Sequence, residues 1–157
     1  MRSFRLAVVA SFLLAGCATP QIVHDRSGTR TSLEQLKGRA VVLTFWADYC
    51  TPCIMQMPVL LHSVAAHGDQ VLFLPVYVQP KPGHELDSWI ASQPEWFQEQ
   101  ICWANEPFLR NYDRTAMPRT YVYGRNGKQV EMFEGRIDEN RVALFDASLL
   151  RALAATK

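Results

Sequence analysis

The sequence predicts an α/β domain in which helices flank a central mixed β-sheet. Two near-continuous apolar runs, Ala40–Trp46 and residues 71–78, are typical of strands buried on both faces of a sheet. Each run is followed by a helical pattern, and the last third of the chain adds a hairpin and a closing helix. This order of elements favours a sheet of parallel and antiparallel strands packed between helices.

Length, charge and composition limit the class of protein. The chain has 157 residues, of which 48% are hydrophobic and 20% are charged, so one domain with its own apolar core is expected. The net charge of +1 lacks the basic excess of nucleic-acid-binding proteins. We therefore expect no nucleic-acid partner, and we take the chain to be a monomer.

Residues 1–16 are interpreted as a lipoprotein signal peptide. Arg2 and Arg5 precede an apolar run over residues 6–15, which is far shorter than the ~20 residues of a membrane-spanning helix. The run ends in "LLAGC", which resembles the bacterial lipobox. That resemblance implies cleavage before Cys17 and a lipid on this cysteine. A buried N-terminal helix with an incidental cysteine and a soluble secretory signal cut near Ala18 are the alternatives.

The N-terminus also sets expectations for domain boundaries and location. Residues 17–24 are predicted to form a short tether, and residues 25–157 the folded domain. A lipid on Cys17 places the domain in the bacterial cell envelope, on the periplasmic side of a lipid membrane. Ala18, which stands where Asp is the inner-membrane signal, slightly favours the outer membrane.

The remaining elements follow from local patterns. Ser32 is positioned to cap a short helical turn over residues 32–36, and Gly38 ends this turn. Pro75 lacks a backbone donor, so a bulge or an edge position is expected in its strand. The other predicted segments are a strand at 22–24, a turn at 25–30, a loop at 80–83, a helix at 85–92, a strand at 101–103, a helical turn at 107–112, strands at 120–123 and 129–133 around the "GRNG" turn, and a helix at 138–154.

The helix after the first buried strand is amphipathic. Its expected apolar stripe consists of Ile54, Met57, Leu61 and Val64. Pro58 lies inside this helix and is expected to kink it. A glycine at position 68 is the expected stop.

Cys50 and Cys53 occupy the junction between this strand and this helix. The N-terminus of a helix carries unpaired N–H groups and a partial positive charge, so we expect a lowered pKa for Cys50. Cys53 lies one turn further on the same face, and Pro52 suits a first helical turn. A zinc site is the first alternative, but the four histidines show no ligand spacing. A passive bridge is the second, although so small a loop would stabilise the fold little.

Two long segments carry a family resemblance. "SLEQLKGRAVVLTFWADYCTPCIMQMP", residues 32–58, and "YDRTAMPRTYVYGRNGKQVEMFEGRID", residues 112–138, resemble the thioredoxin-like thiol–disulfide oxidoreductases of the TlpA/ResA type. The resemblance implies a thioredoxin-like fold over the whole domain. It also implies that Cys50 is the nucleophile, that Cys53 is the resolving thiol, and that the bond before Pro118 is cis.

The resemblance further implies a substrate-binding surface around the cysteines. The backbone of Met117 is expected to pair with an extended substrate segment, and Trp46 to pack beside the site. Tyr49 is interpreted as a substrate-facing aromatic, with packing as the alternative. The residues expected around the substrate are Trp46, Tyr49, Pro52, Met117 and Pro118.

Some positions depart from the family pattern. Thioredoxin has a buried Asp where this chain has Thr44, and ResA-like proteins often have Glu where it has Gln56. Neither side chain accepts a proton as a carboxylate does, so the base that assists Cys53 is not identified. Asp48 is interpreted as a solvated loop acid. Cys102 is expected to be buried and inert, with a second redox role as the alternative.

Together these features predict a membrane-anchored, periplasm-facing reductase of protein disulfides. It needs no bound cofactor and no metal, and the resemblance implies a membrane electron donor of the DsbD or CcdA type. The direction of exchange depends on reduction potential, so an oxidase or isomerase is the nearest alternative. A copper-binding chaperone and a non-catalytic adaptor are alternatives of a different class.

Overall fold

A computed structural model describes residues 22–78 and 84–156. The expectations for residues 1–16, Cys17, Ala18 and the loop at 80–83 therefore lie outside the described residues. Within those residues the strands are β1 Ile22–Asp25, β2 Arg30–Ser32, β3 Ala40–Trp46, β4 Val71–Tyr77, β5 Cys102–Ala104, β6 Arg119–Tyr123 and β7 Gln129–Glu134. The helices are α1 Thr51–Ala65, α2 His84–Ala91, α3 Glu95–Gln100, α4 Glu106–Leu109 and α5 Val142–Ala154.

The strands form one mixed sheet in the order β2-β1-β5-β4-β3-β6-β7. Strands β3, β4 and β5 are parallel, whereas β6 is antiparallel to β3 and β7 to β6. β1 is antiparallel to both β2 and β5. The predicted α/β class with a central mixed sheet between helices is confirmed.

Both faces of the sheet are apolar, and successive side chains of β3 point alternately to one face and the other. On the first face, Val42 and Trp46 pack with α1 and α5 through residues such as Leu60 and Leu149. The second face is the opposite one, which carries Val41, Leu43, Phe45 and, from α4, Phe108 and Leu109. All seven residues of β3 are buried, as its continuous apolar pattern predicts.

Pro75 lies in a regular inner strand, so the expected bulge or edge position is wrong. The pairing of β4 with β3 runs without a register shift from residue 71 to residue 77. The N–H of Val78 donates to the carbonyl of Trp46, and N–H groups alternate between the two sides of a strand, so the nitrogen of Pro75 faces away from β3. On that side β5 pairs only with Val76 and Tyr77. The missing donor thus falls where no ladder is formed.

The buried face of α1 differs from the expected stripe. Ile54 and Leu61 are only half-buried, whereas the fully buried positions include Cys53, Gln56 and Leu60. The buried face of α1 is therefore rotated relative to the expected apolar stripe, because the polar residue Gln56 faces the core. Pro58 lies on the exposed side of the helix, where its missing N–H does not disturb the packed face.

The strand predicted at residues 22–24 is confirmed as β1. β1 starts at Ile22, inside the range predicted as tether, because it pairs with both β2 and β5. The capping role of Ser32 is confirmed: its Oγ accepts from the Gln35 N–H at 3.4 Å, and the Gln35 side chain accepts from the Ser32 N–H at 2.8 Å. Strand β2 and helix α3 were not expected from the sequence.

The ends of several strands meet at one edge of the sheet. β3, β4 and β5 are parallel, so their final residues Trp46, Tyr77 and Ala104 lie at the same edge. β1 runs antiparallel to β5, which places its first residue, Ile22, at this edge as well. The chain therefore enters the sheet on the side where β3 leads into α1.

Candidate redox site

Cys50 and Cys53 are joined in a disulfide whose Cα atoms are 5.2 Å apart. Cys50 is the residue that precedes α1, and Cys53 lies in its first turn. Cys50 has 7% of its surface exposed, whereas Cys53 is fully buried. Cys50 is therefore the more exposed residue of a largely buried pair.

Local hydrogen bonds fix this geometry. The N–H of Cys50 donates to the carbonyl of Ala47 at 3.1 Å and closes a turn after β3. The carbonyl of Cys50 then accepts from the N–H groups of Cys53 and Ile54, which are the first bonds of α1. Pro52 occupies the first turn, where a backbone N–H has no helical partner. The positive end of a 15-residue helix thus lies against Cys50.

Trp46 packs beneath the cysteines as a fully buried side chain. Its indole N–H donates to the Pro75 carbonyl at 3.1 Å, and its ring lies 5.1 Å from that of Tyr77 and 5.2 Å from that of Phe97. An incoming chain cannot reach this ring in the described state. Trp46 therefore positions the site and does not form part of its open surface.

Tyr49 is the most exposed large apolar side chain beside Cys50, with 65% of its surface accessible. Met55, one turn along α1, is also exposed. The side chain of Arg136 approaches the Met55 sulfur, with 3.7 Å from Nη1 to Sδ. Tyr49, Pro52 and Met55 thus form an open surface on the N-terminal end of α1 with a cation at its border.

Asp48 is half-buried and bonded, so the interpretation as a solvated loop acid is corrected. Its Oδ1 accepts from the Tyr49 N–H at 2.9 Å and from the Tyr77 hydroxyl at 3.3 Å. Burial, followed by the charge of Asp48, raises the pKa of Tyr77 to about 12. The phenol therefore stays protonated and holds this carboxylate at the base of the turn before Cys50.

The bond between Met117 and Pro118 is cis. The Pro118 carbonyl accepts from the Gly135 N–H at 2.9 Å, which ties this segment to the end of β7. Among the described residues, no hydrogen bond involves the backbone N–H or carbonyl of Met117. A main-chain donor and a main-chain acceptor are thus left over in the segment directly before Pro118.

The segment before Pro118 is held by charge. Arg119 bonds Asp113 with one guanidinium nitrogen and Glu134 with another, the latter at 3.0 Å. Hydrogen bonds from the backbone and hydroxyl of Thr115, and then from Arg119, lower the pKa of Asp113 to about 2. The loop thus folds back on the first residue of β6.

Beneath Cys53 lies a set of uncharged polar groups. The hydroxyls of Thr44 and Thr120 are 2.8 Å apart, and the Gln56 amide donates to the first of them at 3.1 Å. The Sγ of Cys53 lies 3.9 Å from the carbonyl of Phe45, the residue after Thr44. No carboxylate takes part in these contacts.

Comparison with known proteins points to one group. The chain is 41% identical over 114 residues to the thiol-disulfide oxidoreductase ResA of Bacillus thuringiensis (strain Al Hakam), covering 73% of this chain. It is 24% identical over 125 residues to ResA of Bacillus subtilis (strain 168), covering 77% of this chain. The chain is therefore similar to thiol-disulfide oxidoreductases of the ResA group. The matches span 65% and 67% of these relatives' own length.

Solved structures confirm the thioredoxin-like fold. A putative thiol:disulfide interchange protein DsbE from Chlorobium tepidum superposes with a TM-score of 0.69 at 24% identity, covering 86% of this chain and 94% of that one. No family model matches the sequence. The expected fold and the expected relationship to thioredoxin-like oxidoreductases are therefore confirmed.

Cys102 does not belong to the redox site of this thioredoxin-like chain. It is a free, buried cysteine in β5 whose side chain packs on the second face, whereas Cys50 and Cys53 pack on the first. Burial raises the pKa of its thiol. The structure therefore agrees with the expectation of an inert cysteine and offers no contact for exchange with the Cys50–Cys53 pair.

The described residues hold no group of three or more His, Cys, Asp or Glu side chains arranged for a metal ion. Nor does any helix in the described part of the chain have the length and apolar character needed to cross a membrane. Sequence reasoning missed three participants in the thioredoxin-like site: Met55, Arg136 and Thr120. For Thr120 a signal existed, because it is a polar residue within a buried strand.

Proposed function

We propose that this chain reduces disulfides of protein substrates through the Cys50–Cys53 pair. The observation that carries the proposal is the position of the bridge, which joins the residue before α1 to a second cysteine in the first turn of that helix. A helix N-terminus stabilises the thiolate that attacks a disulfide. A second sulfur held within bonding distance of the first is suited to the two steps of exchange.

In the first step, the thiolate of Cys50 attacks one sulfur of a substrate disulfide. A bond forms between Cys50 Sγ and that sulfur, the substrate bond breaks, and the second substrate sulfur leaves as a thiolate that takes up a proton. In the second step, Cys53 loses its proton and attacks Cys50 Sγ, the mixed disulfide breaks, and the first substrate sulfur leaves as a thiolate that takes up a proton while the Cys50–Cys53 bridge forms. The substrate gains two electrons, and the enzyme dithiol loses them.

The surface around Cys50 provides for the substrate chain. Tyr49, Pro52 and Met55 offer apolar contacts, and the unpaired backbone groups of Met117 suit an extended segment that pairs in β-fashion. Trp46 contributes by holding the base of the site. The role proposed for Pro118, through its cis bond, is to present the Met117 backbone to the substrate.

Trapping of substrates tests the proposed activity. Cys53→Ala prevents the second step, so mixed disulfides should accumulate on Cys50 and be identified by mass spectrometry. The reference reactions are insulin reduction by the wild type and by Cys50→Ala. Wild-type protein without activity, or activity that survives Cys50→Ala, contradicts the proposal. An equilibrium with glutathione gives the reduction potential, and a strongly oxidising value would favour the oxidase alternative.

We also propose that the chain is held at the periplasmic side of a bacterial membrane by a lipid on Cys17. The positive residues, the apolar run and the small residues before Cys17 occur in the order that processing requires. Re-reduction of the pair then depends on an electron donor in the membrane, of the DsbD or CcdA type. Cys17→Ala should move the protein from the membrane to the soluble fraction, and a variant that stays membrane-bound contradicts the lipid anchor.

A further inference from the structure

The polar set beneath Cys53, which we call the Gln56 network, consists of Gln56, Thr44, Thr120 and the backbone N–H of Ile137. All three side chains belong to fully buried residues. The Gln56 Oε1 accepts from the Ile137 N–H at 3.1 Å, and its Nε2 donates to Thr44 Oγ1 at 3.1 Å and to Thr120 Oγ1 at 3.5 Å. The hydroxyls of the two threonines are 2.8 Å apart.

The chemistry of the partners fixes the orientation of the amide. The backbone N–H of Ile137 can only donate, so the carbonyl oxygen of Gln56 must face it and the NH₂ group must face the threonine hydroxyls. Every contact then joins a neutral donor to a neutral acceptor. A buried polar network of this kind is stabilising only while it is fully satisfied, because each broken contact leaves a polar group without water.

The network joins the parts of the chain that form the redox site. Gln56 lies on α1 one turn after Cys53, on the same face of the helix. Thr44 and Thr120 are paired residues of β3 and β6, and Thr120 follows Pro118 by two positions. Ile137 follows Gly135, which bonds the Pro118 carbonyl. One side chain thus connects the helix of the cysteines to the segment proposed to bind the substrate.

Within residues 22–78 and 84–156, no hydrogen bond or ion pair joins an ionisable side chain to the network. On α1, Cys53 lies one turn before Gln56, and on the segment after β7 the side chains of Arg136 and Asp138 flank Ile137 and pair with each other at 3.6 Å. On β6, Arg119 belongs to the opposite face of the sheet and bonds Asp113 and Glu134. Just before α5, the guanidinium of Arg141 lies over the Phe133 ring.

We propose that Gln56 is a positioning residue that holds the cysteine helix and the Met117–Pro118 segment in fixed register through an uncharged network. The proposal rests on the proposed reductase function and adds how its site is kept in place. Because no member of the network titrates, the pH dependence of the reaction follows the cysteines and the substrate. The network neither supplies nor removes a proton during exchange.

Two substitutions of Gln56 test this role. Gln56→Glu keeps the shape but places a carboxyl in a buried site, where desolvation raises its pKa toward neutrality. We expect an added ionisation in the pH profile of kcat between pH 5 and 9, absent from the wild type. Gln56→Ala should lower kcat about tenfold or more at every pH, because small misplacement of reacting groups is costly, without adding an ionisation.

Ser148→Ala is the matched control. Ser148 is also fully buried, and its hydroxyl donates to the Phe145 carbonyl at 2.6 Å within α5. This variant removes a buried hydrogen bond outside the site, so it should lower thermal stability but leave the pH profile and kcat of the wild type. At Thr44, Thr44→Ser should retain the wild-type rate, whereas Thr44→Val should lose it.

The outcomes separate this inference from the proposed function. A pH profile of Gln56→Glu that superimposes on the wild type, or a folded Gln56→Ala with unchanged kcat, overturns the positioning role. Wild-type protein that reduces no substrate disulfide instead overturns the proposed function. In that case the equilibrium of the Cys50–Cys53 pair with dithiothreitol, measured across the same pH range, still tests the network: only Gln56→Glu should shift its pH dependence.

Discussion

Cys50 and Cys102 are almost equally buried, with 7% and 4% of their surface exposed, yet they lie on opposite faces of one sheet and in different local structures. Cys50 follows the end of β3 and precedes the N-terminus of α1. Cys102 lies within β5, where apolar neighbours raise the pKa of its thiol. Burial therefore does not distinguish a redox cysteine from an inert one. The distinguishing features are the strand end, the helix start and a partner sulfur one turn away.

The largest expected effect tests the distinction between Cys50 and Cys102 directly. Cys50→Ala should reduce the rate of insulin reduction to background, because the attacking sulfur is removed. Cys102→Ala should keep the wild-type rate and cost only about 1 kcal/mol of stability, as for the loss of a small buried group. The measurements are turbidity of reduced insulin and urea unfolding. Loss of activity in Cys102→Ala would falsify the separation of the two faces.

The next effect concerns the packing of the second face. Phe108→Ala, in α4, removes a fully buried ring and should lower the free energy of unfolding by about 3–5 kcal/mol. The rate per folded molecule should remain that of the wild type, because the ring lies across the sheet from the cysteines. Denaturant unfolding and activity corrected for the folded fraction test this. A fall in the corrected rate would show that the two faces are coupled.

A smaller effect distinguishes two tryptophans. Trp46→Phe removes the indole bond to the Pro75 carbonyl and should cost about 1–3 kcal/mol for a buried acceptor left without its donor. Trp103→Phe is the matched variant, because the buried Nε1 of Trp103 has no hydrogen-bond partner among the described residues. Removal of the Trp103 indole N–H should leave the free energy of unfolding unchanged or raise it slightly. Equal destabilisation in the two variants would contradict this assignment.

The smallest effect is electrostatic. The folded state lowers the pKa of Asp113 to about 2, so the protonated form is disfavoured in the fold. The stability gained from this group is present above its unfolded pKa of about 4 and is lost as the pH falls toward about 2. Asp113→Asn should remove that part of the pH dependence. Urea unfolding between pH 2 and 5 provides the measurement, and identical curves for both proteins count against the pairing with Arg119.

The sequence predicted the elements that have a strong internal pattern. β3 was predictable because all of its residues are apolar or β-branched, and the hairpin of β6 and β7 because its turn is rich in Gly and Asn. The fit of Pro75 into a regular inner strand was not predictable, since it depends on where the neighbouring strand β5 begins. Strand β2 was missed because its three residues, "RTS", are polar and pair only at the edge of the sheet.

The site was predictable in its sulfur chemistry and less so in its supports. The spacing and position of Cys50 and Cys53 pointed to the pair, and family resemblance pointed to Pro118. The Gln56 network could not be inferred, because its hydrogen bonds join residues separated by up to 81 positions. Likewise, the bond between Asp48 and the Tyr77 hydroxyl depends on the pairing of β3 with β4, which no local pattern contains.

The position of Ile22 limits how far the redox pair can work from its attachment point. Ile22 lies at the same sheet edge as the end of β3, three strands away, or about 15 Å at the usual strand spacing. The five residues from the proposed lipid on Cys17 span at most about 18 Å. With the proposed lipid on Cys17, the two cysteines would lie within a few nanometres of the bilayer surface. The proposed electron donor in that membrane would then be within the same short distance of the pair.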